Sequence, residues 1–308
     1  MKKVMVFCIL SLLAACTVFT GCEKKTRTFG FTSMRISNPF FAVIEHTIRE
    51  AVEKNGDKLI SVDPDMDSAK QISQIESLIS QKIDAIFINP VDWEEIKPAL
   101  VALNQAKIPI INYDAEVKDL DLVTAYVGSD NYHAGYVCGV DMVQRFPNGG
   151  PIAVLDCPGM RSLRDRIDGF REAIDGKGFT IVFVEDAQGN SVDGQRHTER
   201  LLKSKTEVLA IMGGNDPTAL GAYAACQAMN RTNILIWGVD GSPLVKAEIA
   251  KKGQFAGSGA QSPINIAKSS VEIAYKILNK QPYEKKVPVE TFIINQENID
   301  QFDIDGWQ

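Results

Sequence analysis

The sequence predicts an α/β fold made of doubly wound parallel sheets divided between two lobes. Three observations predict it. Short apolar runs alternate with helical stripes from residue 28 onward, the pattern of strand–helix units that feed a parallel sheet covered on both faces. About five such units precede residue 150 and about four follow it, more than a single open sheet usually holds. A polar residue followed by proline also recurs where strands give way to helices, at Asn38-Pro39, Asp216-Pro217, Ser242-Pro243 and Ser262-Pro263. The polar residue suits an N-cap and the proline suits the first helical turn. With 308 residues, 45% of them hydrophobic and 23% charged, the chain has room for two domains of ordinary composition.

The elements follow in order. Residues 28–33 read as a strand, and Phe41, Ile44, Ile48 and Val52 lie on one face of the next helix. Residues 58–64 form a strand, followed by a helix striped by Ile72, Ile75 and Ile79. Residues 85–90 form the third strand, and Trp93, Ile96, Leu100 and Leu103 mark the helix after it. Residues 109–114 and 122–128 are strands, and 132–145 is a helix. Residues 147–151 are rich in proline and glycine and read as a break. The series then resumes with a strand at 152–157 and a helix face of Leu163, Ile167, Phe170 and Ile174. Further strands span 179–185, 208–212 and 234–239. Ile264, Ala267, Val271, Ala274 and Leu278 make a last helix face.

The polar–proline junctions fall at the carboxyl ends of parallel strands, where open α/β sheets bind ligands. Capping alone accounts for Asn38, Asp216, Ser242 and Ser262. It does not account for Asn215, Asp240 and Gln261 beside them.

The N-terminus reads as an export signal rather than part of the fold. Lys2 and Lys3 precede an apolar run from residue 4 to residue 19, and Thr20-Gly21-Cys22 ends it before the polar Glu23-Lys24-Lys25. This resembles a bacterial lipoprotein signal, with residues 1–21 removed and Cys22 lipidated. Cys16, after Leu13-Ala14-Ala15, is the alternative, although it would leave an apolar stub. A retained span is the other reading, for which the run is short. Lipid at Cys22 implies a body tethered to a membrane, in the periplasm or at the cell surface. Cys138, Cys157 and Cys226 lie far apart with no C-x-x-C spacing and read as buried apolar side chains.

The net charge of −6 speaks against a nucleic-acid partner. No P-loop, H-E-x-x-H, C-x-x-C or G-x-S-x-G pattern is present. Gly257-Ser258-Gly259 opens like a dinucleotide loop but lacks the third glycine. His46, His133 and His197 are scattered and read as helix-surface residues, not metal ligands. No nucleophile–base pair, cofactor or metal is indicated, which favours binding over catalysis.

Several segments form an ordered set: Ser37-Asn38-Pro39-Phe40-Phe41, Ile88-Asn89-Pro90, Ile111-Asn112-Tyr113-Asp114, Ser129-Asp130-Asn131, the run from Arg164 to Phe170, Asn215-Asp216, Gly238-Val239-Asp240-Gly241 and Ala260-Gln261. Together they resemble the periplasmic sugar-binding proteins of the ribose-binding type, from about residue 28 to residue 295. The resemblance implies two similar lobes joined by three crossing segments. They fall near Ser129-Asp130, Gln261-Ser262 and Glu290-Thr291. The first lobe then comprises 28–129 with 262–290, and the second 130–261 with 291–308. Residues 147–151 become a loop inside the second lobe.

The resemblance places a ligand site on Asn38, Phe40, Phe41, Asp114, Arg166, Asn215, Asp240 and Gln261. The types suit a sugar or polyol. Amide and carboxylate groups match hydroxyls that both donate and accept, Arg166 offers a planar donor fork, and a phenyl face suits the C–H side of a ring. Three positions depart from the ribose-binding pattern. Ala115 stands where an arginine follows the aspartate, Gln188-Gly189-Asn190 holds no stacking aromatic, and Met34 replaces a small polar residue. A larger hexose, a cyclic polyol or another hydroxylated solute fits better than ribose, with Arg35, Trp93, Asn190 and Glu116 as compensating contacts. The resemblance also implies hinge closure, a monomer, and an ABC transporter permease as partner. A sensor kinase or chemoreceptor would be served by the same fold. Sugar-responsive repressors share it too, but carry a helix-turn-helix where this chain has its export signal.

Overall fold

The computed structural model describes residues 26–308. The export signal and both lipidation positions, Cys16 and Cys22, therefore lie outside the described residues. The first half of the chain runs β1 (Thr28–Thr32), α1 (Pro39–Lys54), β2 (Lys58–Val62), α2 (Ser68–Ser80), β3 (Ala85–Ile88), α3 (Lys97–Gln105), β4 (Ile110–Tyr113) and β5 (Ala125–Ser129). It continues through α4 (Asn131–Arg145), β6 (Gly150–Asp156), α5 (Arg161–Ile174), β7 (Phe179–Asp186), α6 (Ser191–Lys203), β8 (Ala210–Gly213) and α7 (Asp216–Ala228). Then come β9 (Leu235–Asp240), α8 (Pro243–Ala250), β10 (Phe255–Ala260), α9 (Pro263–Leu278), β11 (Lys286–Val289) and β12 (Phe292–Asn295).

The strands form two six-stranded sheets, as the alternation predicts. Their orders are β11-β5-β4-β3-β1-β2 and β12-β10-β9-β8-β6-β7. Both follow one winding scheme, with the first strand of each half lying between its second and third. In each sheet the order therefore reverses beside that first strand. Such a reversal opens a crevice at the carboxyl ends of the strands, and the two crevices face each other.

Each sheet is buried on both sides because successive side chains point to opposite faces. Phe29, Phe31 and Phe87 join α1 and α9 in one cluster. Ile86, Ile88 and Ile110 join α2 and α3 in another. In the second sheet Leu155, Ile211 and Ile236 face α7 and α8, while Val154, Met212 and Trp237 face α4 and α5.

The chain passes between the sheets between β5 and α4, between β10 and α9, and between β11 and β12. At the first passage Asp130 Oδ1 accepts from the His133 backbone N–H at 2.9 Å. At the last, only Glu290 and Thr291 separate two strands of different sheets. The chain runs straight on, and β12 meets β10 antiparallel, whereas the other described pairings are parallel. The apolar pattern does not reveal the last three strands: β10 is rich in small residues, β11 carries Lys286 and Pro288 at an edge, and β12 is only four residues long.

Local details depart from expectation in several places. The helix after β3 starts at Lys97, not at Trp93, because Asp92 Oδ1 accepts from the Glu94 and Glu95 backbone N–H groups and holds a turn there. The cap of α7 is Asn215, whose Oδ1 accepts from the Thr218 N–H at 3.0 Å; Asp216 lies inside the helix and is fully buried. His197 is buried against Glu185 rather than exposed on its helix. Asn38 and Ser262 cap α1 and α9 as read, whereas Ser242 stands at the start of α8 with its hydroxyl making no capping bond, and Cys138, Cys157 and Cys226 are buried free thiols.

Candidate ligand-binding cleft

A cavity of about 400 Å³ lies between the lobes at the facing strand ends. Asn38, Phe40, Phe41, Asp114, Arg166, Asn215, Asp240 and Gln261 all line it, as do Arg35 and Asn190. They lie far apart in sequence, and the winding alone brings them together.

The second-lobe wall is a hydrogen-bonded unit. Arg166 is 3% exposed. Its Nε donates to Asn131 Oδ1 at 2.8 Å, and its Nη1 donates to the Gly214 carbonyl and to Asp240 Oδ1, each at 3.1 Å. Asp240 Oδ1 also accepts from Gln261 Nε2 at 2.9 Å. Behind Asp240 lies Asp216, which accepts from the Ser258 hydroxyl and the Ser242 backbone N–H, each at 2.7 Å. Asp240 takes φ 140°, a left-handed value that costs energy for any residue with a Cβ. The network holds the carboxylate on the guanidinium despite that strain.

The first-lobe wall is mostly apolar. Asn38 caps α1, and the next turn carries Phe40 and Phe41 into the cavity edge-to-face, with centroids 5.5 Å apart. Trp307 from the C-terminal segment packs on the other side of Phe40. Gln308 Nε2 follows it inward to the backbone carbonyls of Asp240 and Gln261. Asp114 sits just past β4 at φ 60°, and its Oδ2 accepts from Asn89 Nδ2 at 3.1 Å.

Charge is unbalanced here. One guanidinium faces three buried carboxyls, and ionising all of them is unfavourable. Burial raises Asp114 to about 6, with Arg166 opposing and Asp240 adding to the rise. Burial, reinforced by Asp240, raises Asp216 to about 7. Burial also raises Asp240, against the pull of Arg166.

Two acceptors of the cleft, one from each wall, stand out. Asp114 Oδ1 and Gln261 Oε1 are buried and have no hydrogen-bond partner. Buried acceptors are rarely left so. A guest rich in hydroxyl donors would satisfy both. No group of side chains among the described residues could hold a metal ion.

Two expected contacts are not at this wall. Trp93 stands outside the cavity, with Arg161 and Arg164 of the second lobe 5.5 and 5.6 Å from its ring centroid and Lys118 at 5.7 Å. Three cations draw the ring out to the rim, where it joins the lobes. Glu116 pairs with Lys286 at 2.7 Å and faces a separate cavity nearer the crossings.

The absent aromatic at residues 188–190 has a structural counterpart. A side chain at Gly189, itself at φ 65°, would meet Leu163 at 3.3 Å and Met160 at 3.5 Å. Those aliphatic groups occupy the wall instead. Sequence reasoning missed them, along with Met66 and Val91. It quoted Asn89 and Asn131 only as parts of motifs. A helical reading of α5 places Leu163 in the core, and nothing local marks Met160.

The comparisons agree with this architecture. Residues 29–282 match the periplasmic binding protein domain. A ribose import binding protein of Haemophilus influenzae is 32% identical over 87% of this chain and 91% of its own length. One from Bacillus subtilis is 32% identical over 86% of each. Among solved structures, an ABC transporter solute binding protein from Bacillus halodurans with bound myo-inositol superposes with a TM-score of 0.85 at 25% identity, covering 90% of this chain and 96% of that one. With the matched domain spanning both sheets and the cleft between them, the chain belongs to the periplasmic binding protein family.

Proposed function

We propose that this protein is an exported, lipid-anchored binding protein that captures a sugar or polyol by hinge closure and delivers it to an ABC permease. The observation that carries the reading is the pair of buried, unpartnered acceptors, Asp114 Oδ1 and Gln261 Oε1, in a cleft beside the Arg166 guanidinium. Hydroxyl groups of one guest would donate to both and accept from the fork. Phe40 and Phe41 would cover its C–H face. Asn38, Asn190, Asn215 and Arg35 would complete the shell.

The chemistry of relatives supports a polyhydroxy ligand, since matching proteins carry ribose in their names and myo-inositol in a crystal. The lobes, 28–129 with 262–290 and 130–261 with 291–308, would swing about the passages at Asp130, Gln261 and Thr291. Guest contacts made only when both walls meet would favour the closed form. No bond is made or broken. Among the described residues no helix is long and apolar enough to cross a membrane. Lipid at Cys22 would tether the body to the membrane surface.

The test is a thermal-shift screen of the purified protein against pentoses, hexoses and cyclitols. A ligand that binds the folded state raises the melting temperature by mass action. At least one polyhydroxy compound is expected to do so, with 1:1 stoichiometry by calorimetry and no turnover. A screen in which none shifts the transition sinks the reading.

A further inference from the structure

The cleft has two chemically different ends. At the end near the lobe crossings, Asp114, Arg166, Asp240 and Gln261 gather both buried, unpartnered acceptors of the cavity wall. The other end is walled by Met34, Met66, Val91 and Met160. The Met66 backbone N–H donates to the Met34 carbonyl at 2.8 Å, so the two stand side by side. Met160 comes from the second lobe yet packs against the first-lobe cluster containing Met34, Phe40 and Phe41. The apolar end is therefore built by both lobes and completed where they meet.

Several polar atoms near this end are already engaged, and the others, the Arg35 terminal nitrogens, Asp186 Oδ2 and the Gln188 amide, belong to exposed side chains at its mouth. Arg35 pairs with Asp65 at 2.9 Å toward solvent. Asp186 Oδ1 accepts from the Gln188 N–H at 2.9 Å. Asn190 holds Asp193 at both its Oδ1 and its Nδ2. Asn215 caps α7 and donates to the Gly189 carbonyl. A ligand hydroxyl turned toward the methionines, and not toward that exposed mouth, would lose water without gaining a partner there. A methyl there would instead be buried against polarisable thioethers.

Resting on the reading of the cleft as a polyhydroxy-solute site, we infer that its ligand carries an alkyl group on one edge, as a deoxy sugar or an O-methylated polyol does, and that Met34, Met66 and Met160 select for it. The hydroxyl-bearing edge faces Asp114, Arg166, Asp240 and Gln261. The alkyl edge faces the thioethers and is sealed when Met160 closes on the first lobe. The three departures from the ribose-binding pattern then share one sense: methionine, alanine and the pair Met160 and Leu163 all put apolar groups where polar or flat ones are expected.

The experiment compares matched pairs by calorimetry: D-fucose with D-galactose, L-rhamnose with L-mannose, and an O-methyl inositol with the free inositol. In whichever pair binds most tightly, the alkyl-bearing member is expected to bind at least about tenfold tighter. Met34→Gln and Met160→Gln are each expected to reduce that preference to about twofold or less. Met160→Leu is expected to keep it, which separates loss of an apolar contact from loss of folding. Equal or tighter binding of the fully hydroxylated members overturns this inference and leaves sugar binding standing. Binding of no member of any pair overturns both.

Discussion

The two walls of the cleft share a winding scheme but not a state of readiness. On the second lobe, Arg166, Asp240, Asp216 and Asn215 are bonded to one another or to nearby backbone before any guest arrives. On the first lobe, Phe40, Phe41 and Met34 present apolar surface, and Asp114 keeps one buried oxygen without a partner. One wall is bonded within itself except at Gln261 Oε1, and the other is apolar around a half-satisfied carboxyl. Preorganisation lowers the cost of ordering groups on association. The unfinished wall makes closure depend on the guest, since only a guest supplies the missing donors.

This difference can be broken by substitution, and the largest effect is expected on the preorganised wall. Asp240→Ala leaves the Arg166 guanidinium buried without its carboxylate. A loss on the order of 3–5 kcal/mol in urea denaturation is expected, together with loss of binding. Wild-type stability in that variant would mean that the second wall is not a structural unit.

Asp114→Asn should act in the opposite sense on the ligand-free protein. The carboxyl titrates near 6 when folded, above its ordinary value of 3.8. Between those values the unfolded chain gives up the proton first. Asp114 therefore weakens folding progressively as pH rises from about 4 to 6, and by a constant amount above. At about 1.4 kcal/mol per pKa unit, the asparagine variant gains on wild type by roughly 3 kcal/mol across that window. A pH series of denaturation curves reads it, and a constant difference across the window contradicts the assignment. Ligand affinity should fall in the same variant.

Smaller effects sharpen the picture at the rim and behind the wall. Trp93→Ala removes the ring that Arg161 and Arg164 cover from the opposite lobe. At about 0.5–1 kcal/mol per exposed cation–π contact, affinity should fall several-fold with the unliganded fold intact. Unchanged affinity would show that this rim contact does not couple to binding. Tyr126→Phe removes the 2.6 Å bond from the tyrosine hydroxyl to the Asp114 carbonyl, which helps hold that residue at its positive φ. About 1 kcal/mol of stability is the expected cost, measured by denaturation.

Part of the cleft was legible from residue types at strand ends. Asn215, Asp240 and Gln261 stand at strand ends beyond the residues read as caps, although Asn215 proves to be the cap of α7 with Asp216 the extra group; Asn38, Phe40, Phe41 and Asp114 were assigned to the site by resemblance. Arg166 was legible only through resemblance, because a helix with Arg161, Arg164 and Arg171 offers no local reason to bury one of them. Trp93 was misplaced because an apolar residue near a helix start looks alike whether it faces a cavity or a neighbouring lobe. Met66 and Met160 went unread for the same reason. So did Trp307 and Gln308, which reach the site from the far end of the chain.

Periodicity and capping act over a few residues, so the sequence by itself determined the alternation of strands and helices, most helix starts and the burial of each sheet. Which carboxylate meets the guanidinium, which acceptors stay unpartnered and which lobe supplies the methionine seal depend on contacts between residues far apart in the chain, as Arg166 and Asp240 are, 74 residues from one another. Only the packing of two sheets against a shared cleft decides those, because side-chain pairing at that range is set by where the backbone has already been carried.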